Sequence, residues 1–366
     1  MTIQKVAIIG LGLIGGSIGM SLCRSELIPT VTGWDPSAKT RQEALNRQAI
    51  HYIPASLQES VLDADLVILA TPIRQVSVVL KKILPSLKKD AILTDVASVK
   101  GEIAREVKSM LPKGLRFVGG HPMAGTEGQG IGAADPFLFE NAVYILTPTE
   151  SSDEEALFTL SGILGILGAH PLLLSPEQHD RMVASVSHLP HIAAASVANV
   201  AGELEKVIPG TLSLAAGSFR DTTRVALSPP ELWREVVFSN RQFILEMLEA
   251  LQKEMGLFYQ AINHGDEESF CERFRLAGEI RRQVPQKNKG FVSMLYEIVV
   301  QVQDKPGAIA GVVNLLAETN VNIKDIEILR VREGEAGTLR LAVEDEEAQE
   351  MAIRTLREHG YQVVPK

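Results

Sequence analysis

Cysteine is almost missing from this 366-residue chain. Cys23 and Cys271 lie far apart and share no CxxC spacing, which excludes a disulfide framework and a thiolate zinc site. Basic residues are also short, 36 against 45 acidic, for a formal charge of −9. That balance argues against a nucleic-acid footprint or a polybasic membrane anchor, so a small-molecule partner is expected. No charged-then-apolar preface precedes the first apolar segment, and a cytoplasmic protein is expected. Two uncharged stretches, 157–174 and 185–202, approach the length of a membrane span. Gly162, Gly165, Gly168, His170 and Pro171 interrupt the first, and Ser187, His188, Pro190, His191 and Asn199 the second, which suits buried helices of a soluble fold.

What is present starts at Lys5–Gly19, KVAIIGLGLIGGSIG. An apolar segment runs into Gly10-Leu11-Gly12-Leu13-Ile14-Gly15 and then into small and apolar residues, which reads as strand, tight turn and helix start. In such a fingerprint the first glycine permits the turn, the second admits a pyrophosphate, and the third allows close strand–helix packing. A second apolar segment ends in Asp35, twenty residues past Gly15. A carboxylate there accepts from both ribose hydroxyls and repels a 2′-phosphate, so the expected cofactor is NAD rather than NADP.

From residue 1 to about 175, short apolar runs alternate with amphipathic segments, the pattern of an α/β, mostly parallel sheet flanked by helices. Strands are expected at 6–9, 31–34, 66–70, 92–95, 117–119, 143–146 and 172–174. Ligands of such sheets lie beyond the carboxyl ends of the strands, which selects Thr71-Pro72, the stretch from Asp95 to Ser98, and Gly120-His121-Pro122. From 176 to 284 helical spacing dominates. Leu232, Val236, Phe243, Met247, Leu251, Met255 and Phe258 predict one long helix started by Pro229-Pro230. Apolar surface on more than one side of this region predicts a homodimer. Residues 285–293 read as a polar linker. Residues 294–366 carry a β-α-β-β-α-β pattern, a ferredoxin-like unit without paired carboxylates or a nucleophile–base pair, and read as a binding module.

Three clusters exceed what packing requires. In the glycine-dense loop 119–128, His121 can sit beside a nicotinamide, stay neutral near pH 7 and take a hydroxyl proton as hydride departs. Ser187-His188-Leu189-Pro190-His191 puts two histidines three apart, on one face of a helix; without a companion carboxylate set they suit hydrogen bonds to substrate better than metal, and no metal is expected. In the polar loop 217–224, Arg224 or Arg220 offers a planar fork to a carboxylate, with Asp221 able to orient it.

The fingerprint with Asp35, Asp95-Val-Ala-Ser98-Val-Lys100, His121-Pro-Met-Ala-Gly-Thr-Glu127, Ser187-His188-Leu-Pro-His191 and Phe219-Arg-Asp-Thr-Thr-Arg224 together resemble prephenate dehydrogenase. The tail resembles an ACT domain, a module that commonly senses amino acids. With no chorismate mutase segment ahead of the fingerprint, the chain is similar to the monofunctional form. The resemblance implies oxidative decarboxylation of prephenate by NAD+ to 4-hydroxyphenylpyruvate in tyrosine biosynthesis. It implies His121 as the base and Ser98 as a hydrogen-bonding neighbour. Arg224 would hold a substrate carboxylate, with His191, Ser187, Thr126, Glu127 and Trp233 around the substrate. Gly10, Gly12, Leu13, Ile14, Gly15, Asp35, Thr71 and Pro72 are expected to hold the coenzyme. An aromatic effector, tyrosine, is expected near Pro306, Gly307, Asn320, Asn322 and Ile323, between paired modules. Two alternatives stand: arogenate as substrate, and a non-catalytic NAD-linked amino-acid sensor.

Overall fold

A computed structural model describes residues 3–126, 128–284, 295–330 and 337–365, with the side chains of 329 and 330 left aside. The chain divides into two compact units, Met1–Gly290 and Phe291–Lys366. The linker expected at 285–293 lies outside the described residues.

The first unit is built on a seven-stranded sheet: β1 (Lys5–Ile9), β2 (Thr30–Trp34), β3 (Leu66–Leu69), β4 (Ile92–Asp95), β5 (Arg116–Pro122), β6 (Val143–Pro148) and β7 (His170–Leu173), in the order β2-β1-β3-β4-β5-β6-β7. Along β1, Val6 and Ile8 pack into one core while Ala7 and Ile9 pack into another. Successive side chains point to opposite faces, so a strand covered on both sides must be apolar throughout. That is why the buried stretches of β1 and β3 read as unbroken apolar runs. Strands β1 to β5 are parallel, and the order reverses direction at β1, between β2 and β3, which creates the crevice where such sheets take ligands. Strand β6 pairs antiparallel with β5, His121 opposite Ile145. The run of β5 through Pro122 also moves His121 out of the expected loop and onto the strand's carboxyl end.

Helices follow the sheet. Helix Pro176–Val183 starts with a capping box between Ser175 and Gln178, passes through a π-helical turn at Ala184–His188, and continues as Leu189–Val207. Ser187 and His188 therefore lie at a bulge within a helix rather than at a helix entry. Such one-turn insertions re-aim side chains and are frequent at functional sites. The single long helix expected after Pro229 is two, Pro230–Ser239 and Arg241–His264. Asn240, at φ −113° and ψ 29°, breaks them while its amide donates to the Asp180 carbonyl at 2.8 Å. The loop expected at 217–224 is a short helix, Gly217–Thr223, leading into a 3-10 turn at Arg224–Leu227. On helix Leu189–Val207, Val197, Val200, Leu204 and Val207 form an apolar stripe left exposed in the single chain.

The second unit has the expected ferredoxin-like order among its described residues. Strands β8 (Tyr296–Val302), β9 (Asp325–Arg330), β10 (Gly337–Val343) and β11 (Val363–Pro365) form an antiparallel sheet in the order β11-β8-β10-β9. Helices Ala308–Glu318 and Glu346–Glu358 pack on it around Ile298, Val300, Val312, Leu316, Leu339, Leu341 and Leu356. Pro306 and Gly307 make the turn into the first helix, and Asn320, at φ 59°, closes its end as Val321 N–H donates to Leu316 O at 3.0 Å. Strand β9 follows this closure at Asp325. Pro306, Gly307, Asn320 and Asn322 are exposed and Ile323 is half-buried.

Candidate active site

The carboxyl ends of β1, β2 and β3 bring the fingerprint residues together. Gly10 has φ +96°, and a Cβ there would stand 2.2 Å from the Ala70 carbonyl oxygen, so only glycine permits this turn against β3. Its N–H donates to Trp34 O at 2.8 Å, tying the ends of β1 and β2. Gly12 caps helix Leu13–Cys23 without any side-chain cap, and a Cβ on it would meet nothing within 4 Å. The first-turn N–H groups of Leu13, Ile14 and Gly15 thus face a place left open for an anion. Asp35 accepts from Leu11 N–H at 3.2 Å and Ser37 N–H at 2.9 Å. Thr71 follows β3, its Oγ1 buried and without a partner, with Pro72 exposed beside it. Sequence reasoning missed Arg41, whose guanidinium lies 4.2 Å from the Trp34 ring centroid and donates to the Asp35 and Pro36 carbonyls.

On the same edge of the sheet, β4 and β5 deliver Ser98 and His121. Ser98 is half-buried in the connection from β4 to helix Gly101–Met110. Behind it, Lys100 and Asp95 form an ion pair with side chains 1% and 0% exposed. Lys100 Nζ also donates to Gly120 O at 2.6 Å, and Gly120 N–H donates to Asp95 Oδ1 at 3.3 Å. The pair therefore clamps the backbone one residue before His121. Gly120 has to be glycine, since a Cβ would stand 2.5 Å from Asp95 O.

His121 Nδ1 lies 2.8 Å from His179 Nε2, and His179 Nδ1 lies 2.7 Å from Asp180 Oδ1. Burial, then the neighbouring His179, Lys100 and His188, holds His121 well below the ordinary histidine range, so its ring is neutral at pH 7. Burial likewise lowers His179, against the opposing pull of Asp180. His188 is 1% exposed, its Nδ1 lies 3.2 Å from Asn240 Nδ2, and burial pushes it down to about 4. Interior packing occupies this histidine, which was expected to hydrogen-bond substrate.

His191 is half-buried, stacks on Trp233 at 3.7 Å between centroids, and donates through Nδ1 to Ser187 O at 2.9 Å. Trp233 also meets His188 edge-on at 5.9 Å. Burial lowers His191, and the nearby Arg224 charge lowers it further. Ring contacts join His188, Trp233 and His191, while His188 acts on His121 and Arg224 acts on His191 electrostatically. Arg224 and Arg220 are both exposed. Thr126 is exposed and its hydroxyl accepts from Gly128 N–H at 3.2 Å, while Glu127 lies outside the described residues. A cavity of about 1100 Å³, lined by Arg105, Lys108, Glu177 and Phe243 among others, reaches this network only at Gly101 and Asp180, so hydrogen-bond connectivity locates the site better than volume does. Among the described residues no cluster of three or more His, Cys, Asp or Glu is arranged for a metal, and no helix is long and apolar enough to cross a membrane.

Family models match along nearly all of the chain: prephenate dehydrogenase nucleotide-binding domain at 18–173, prephenate dehydrogenase dimerization domain at 175–276, and ACT domain at 296–358. The chain belongs to the prephenate dehydrogenase family. It is 35% identical to the prephenate dehydrogenase of Bacillus subtilis over 350 residues, 95% of this chain and 94% of that protein. A crystal structure of prephenate dehydrogenase from A. aeolicus with hydroxyphenyl propionate and NAD+ superposes with a TM-score of 0.72 at 30% identity, covering 78% of this chain and 99% of that one. Synechocystis arogenate dehydrogenase superposes with a TM-score of 0.68 at 33% identity, covering 76% and 99%. Proteins named for prephenate and for arogenate are thus both similar to this chain in fold.

Proposed function

We propose that this protein oxidises and decarboxylates prephenate with NAD+, giving 4-hydroxyphenylpyruvate, CO2 and NADH, in the cytoplasmic synthesis of tyrosine. The observation that carries the reading is His121, a neutral imidazole at the carboxyl end of β5, on the edge where β1 to β3 present the fingerprint. The open space at Gly12 and the unpartnered Thr71 Oγ1 fit a dinucleotide, held by Gly10, Gly12, Leu13, Ile14, Gly15, Thr71 and Pro72 with Asp35 on the ribose. Bound NAD+ supplies the hydride acceptor. His121 takes the proton of the ring hydroxyl as the hydrogen on the same ring carbon leaves with its electron pair, and the O–H pair becomes the carbonyl of a dienone. The bond to the ring carboxylate then breaks, its electron pair restores the aromatic ring, and His121 returns the proton to the phenolate. Proton and charge balance, so one histidine serves as base and then as acid.

Ser98 hydrogen-bonds the hydroxyl beside His121. Arg224 holds the side-chain carboxylate, and His191, Ser187 and Trp233 line the substrate, with Thr126 and Glu127 completing the set. An anchor placed away from the departing carboxylate binds substrate without stabilising the bond that must break. The exposed stripe on helix Leu189–Val207 pairs with a second copy, and the ACT unit takes tyrosine at Pro306, Gly307, Asn320, Asn322 and Ile323. A second reading, arogenate as substrate, is favoured by the likeness to the Synechocystis protein. An assay of NADH formation with prephenate or arogenate, with and without tyrosine, tests both. Faster turnover of prephenate is expected; activity on arogenate alone would reverse the assignment, and activity on neither would end it.

A further inference from the structure

Three buried groups behind His121 have no part in the reaction as written: His179, 0% exposed, Asp180, 3% exposed, and the backbone that opens helix Gly101–Met110. Asp180 Oδ1 accepts from Lys100 N–H at 2.8 Å and Oδ2 accepts from Gly101 N–H at 2.7 Å. The helix start thus holds an acceptor-only carboxylate in place, with the positive end of the helix dipole favouring its charge. Asn240 fixes the same residue from its other side through the Asp180 carbonyl.

This anchor dictates the protons along the row. An acceptor-only Asp180 requires His179 to donate from Nδ1 across the 2.7 Å contact. Neutral His179 then has a lone pair on Nε2 and no proton there. The 2.8 Å contact to His121 consequently needs the His121 proton on Nδ1, which leaves its Nε2 lone pair as the only basic site on that ring. We propose that His179 and Asp180 are positioning residues that fix the tautomer of His121, so that its basic nitrogen is Nε2 and not Nδ1. The inference rests on the reading of His121 as the base and adds which nitrogen acts and what selects it.

The same row supports the reaction after proton transfer. Imidazolium at His121 donates a charge-assisted hydrogen bond from Nδ1 to His179, with the Asp180 carboxylate behind it, and offsets part of the cost of a cation near Lys100. Without the acceptor at position 179 the His121 ring divides between two tautomers and two ring orientations, and only one combination presents a lone pair to the substrate hydroxyl.

The test uses the full-length protein, with His179→Phe to remove the acceptor while keeping a ring, and His179→Gln to restore an acceptor oxygen. The expected result for His179→Phe is a fall in kcat of about 10–100-fold, the usual loss for an orienting partner, with KM for prephenate and NAD+ changed by less than about 3-fold. His179→Gln is expected to recover part of kcat. Ring 15N spectra of the wild-type protein read the tautomer without any substitution: protonated Nδ1 on His121 is expected, and protonated Nε2 would overturn the proposal. A kcat for His179→Phe within about 2-fold of wild type would also overturn it. His121→Asn run in parallel separates the two ideas, because full turnover there removes His121 as the base, whereas its loss together with normal His179→Phe kinetics rejects the positioning row alone.

Discussion

A neutral imidazole is useful only if its lone pair faces the reacting hydroxyl, and at position 121 burial and three neighbouring groups keep the ring uncharged. Replacing His121 with Asn should leave NAD+ binding intact and lower kcat by about 10²–10⁴-fold, the typical contribution of a general base. Stopped-flow NADH formation beside a coenzyme titration checks it. Arg224 presents a different case, because an anchor that grips ground and transition states alike changes affinity more than rate. Arg224→Ala should raise the KM for prephenate with little change in kcat, and a normal KM would transfer the role to Arg220. Both residues stand out in sequence by chemical type within polar, glycine-bearing stretches. His179 does not, because its partner His121 is 58 positions away and nothing in a helical Gln178-His179-Asp180-Arg181 run says which side faces the sheet.

At the level of elements, the buried Lys100–Asp95 pair joins β4, β5 and the start of helix Gly101–Met110. Removing one partner of such a pair leaves an uncompensated charge in the interior, at a cost of about 3–5 kcal/mol. Lys100→Met should therefore lower the urea midpoint sharply. Asp95→Asn in the same chain should recover part of the loss, since the remaining Asn is neutral. Unchanged stability of Lys100→Met would mean that water reaches Asp95. The strands themselves were legible from their apolar runs, but not the reversed direction of β6, because a strand buried on both faces has the same composition whichever way it runs. The break at Asn240 was hidden for a related reason: the apolar spacing continues across it, and the interruption comes from an amide bonding to Asp180.

For the whole molecule, four histidines of the first unit are held below their ordinary values, His121, His179, His188 and His191, all chiefly by burial. The unfolded chain binds protons near pH 6.5 that the folded chain refuses. Stability is therefore full above that pH, declines as pH falls through the window, and for His188 levels off below about 4. That residue alone contributes about 3 kcal/mol to the decline. Urea unfolding at pH 7.5 and pH 5 should show it, and equal stabilities would mean that water solvates these rings. The ACT unit has its own core and its own sheet. Deleting residues 291–366 should leave an active body that tyrosine no longer inhibits, whereas inhibition surviving the deletion would move the effector site into the first unit.

The sequence by itself determined the fingerprint turn, the succession of strands and helices, the ferredoxin-like order of the tail and the residue types that carry chemistry. These follow from short-range causes: glycine at a backbone angle other residues avoid, apolar period, and side chains whose polarity has no packing use. Tertiary structure decided which of those residues meet. It buried His188, placed His121 on a strand end instead of a loop, and stood His179 and Asp180 behind it. Those outcomes depend on contacts between segments far apart in the chain, whose partners are chosen by how the sheet and helices pack and not by the residues beside them.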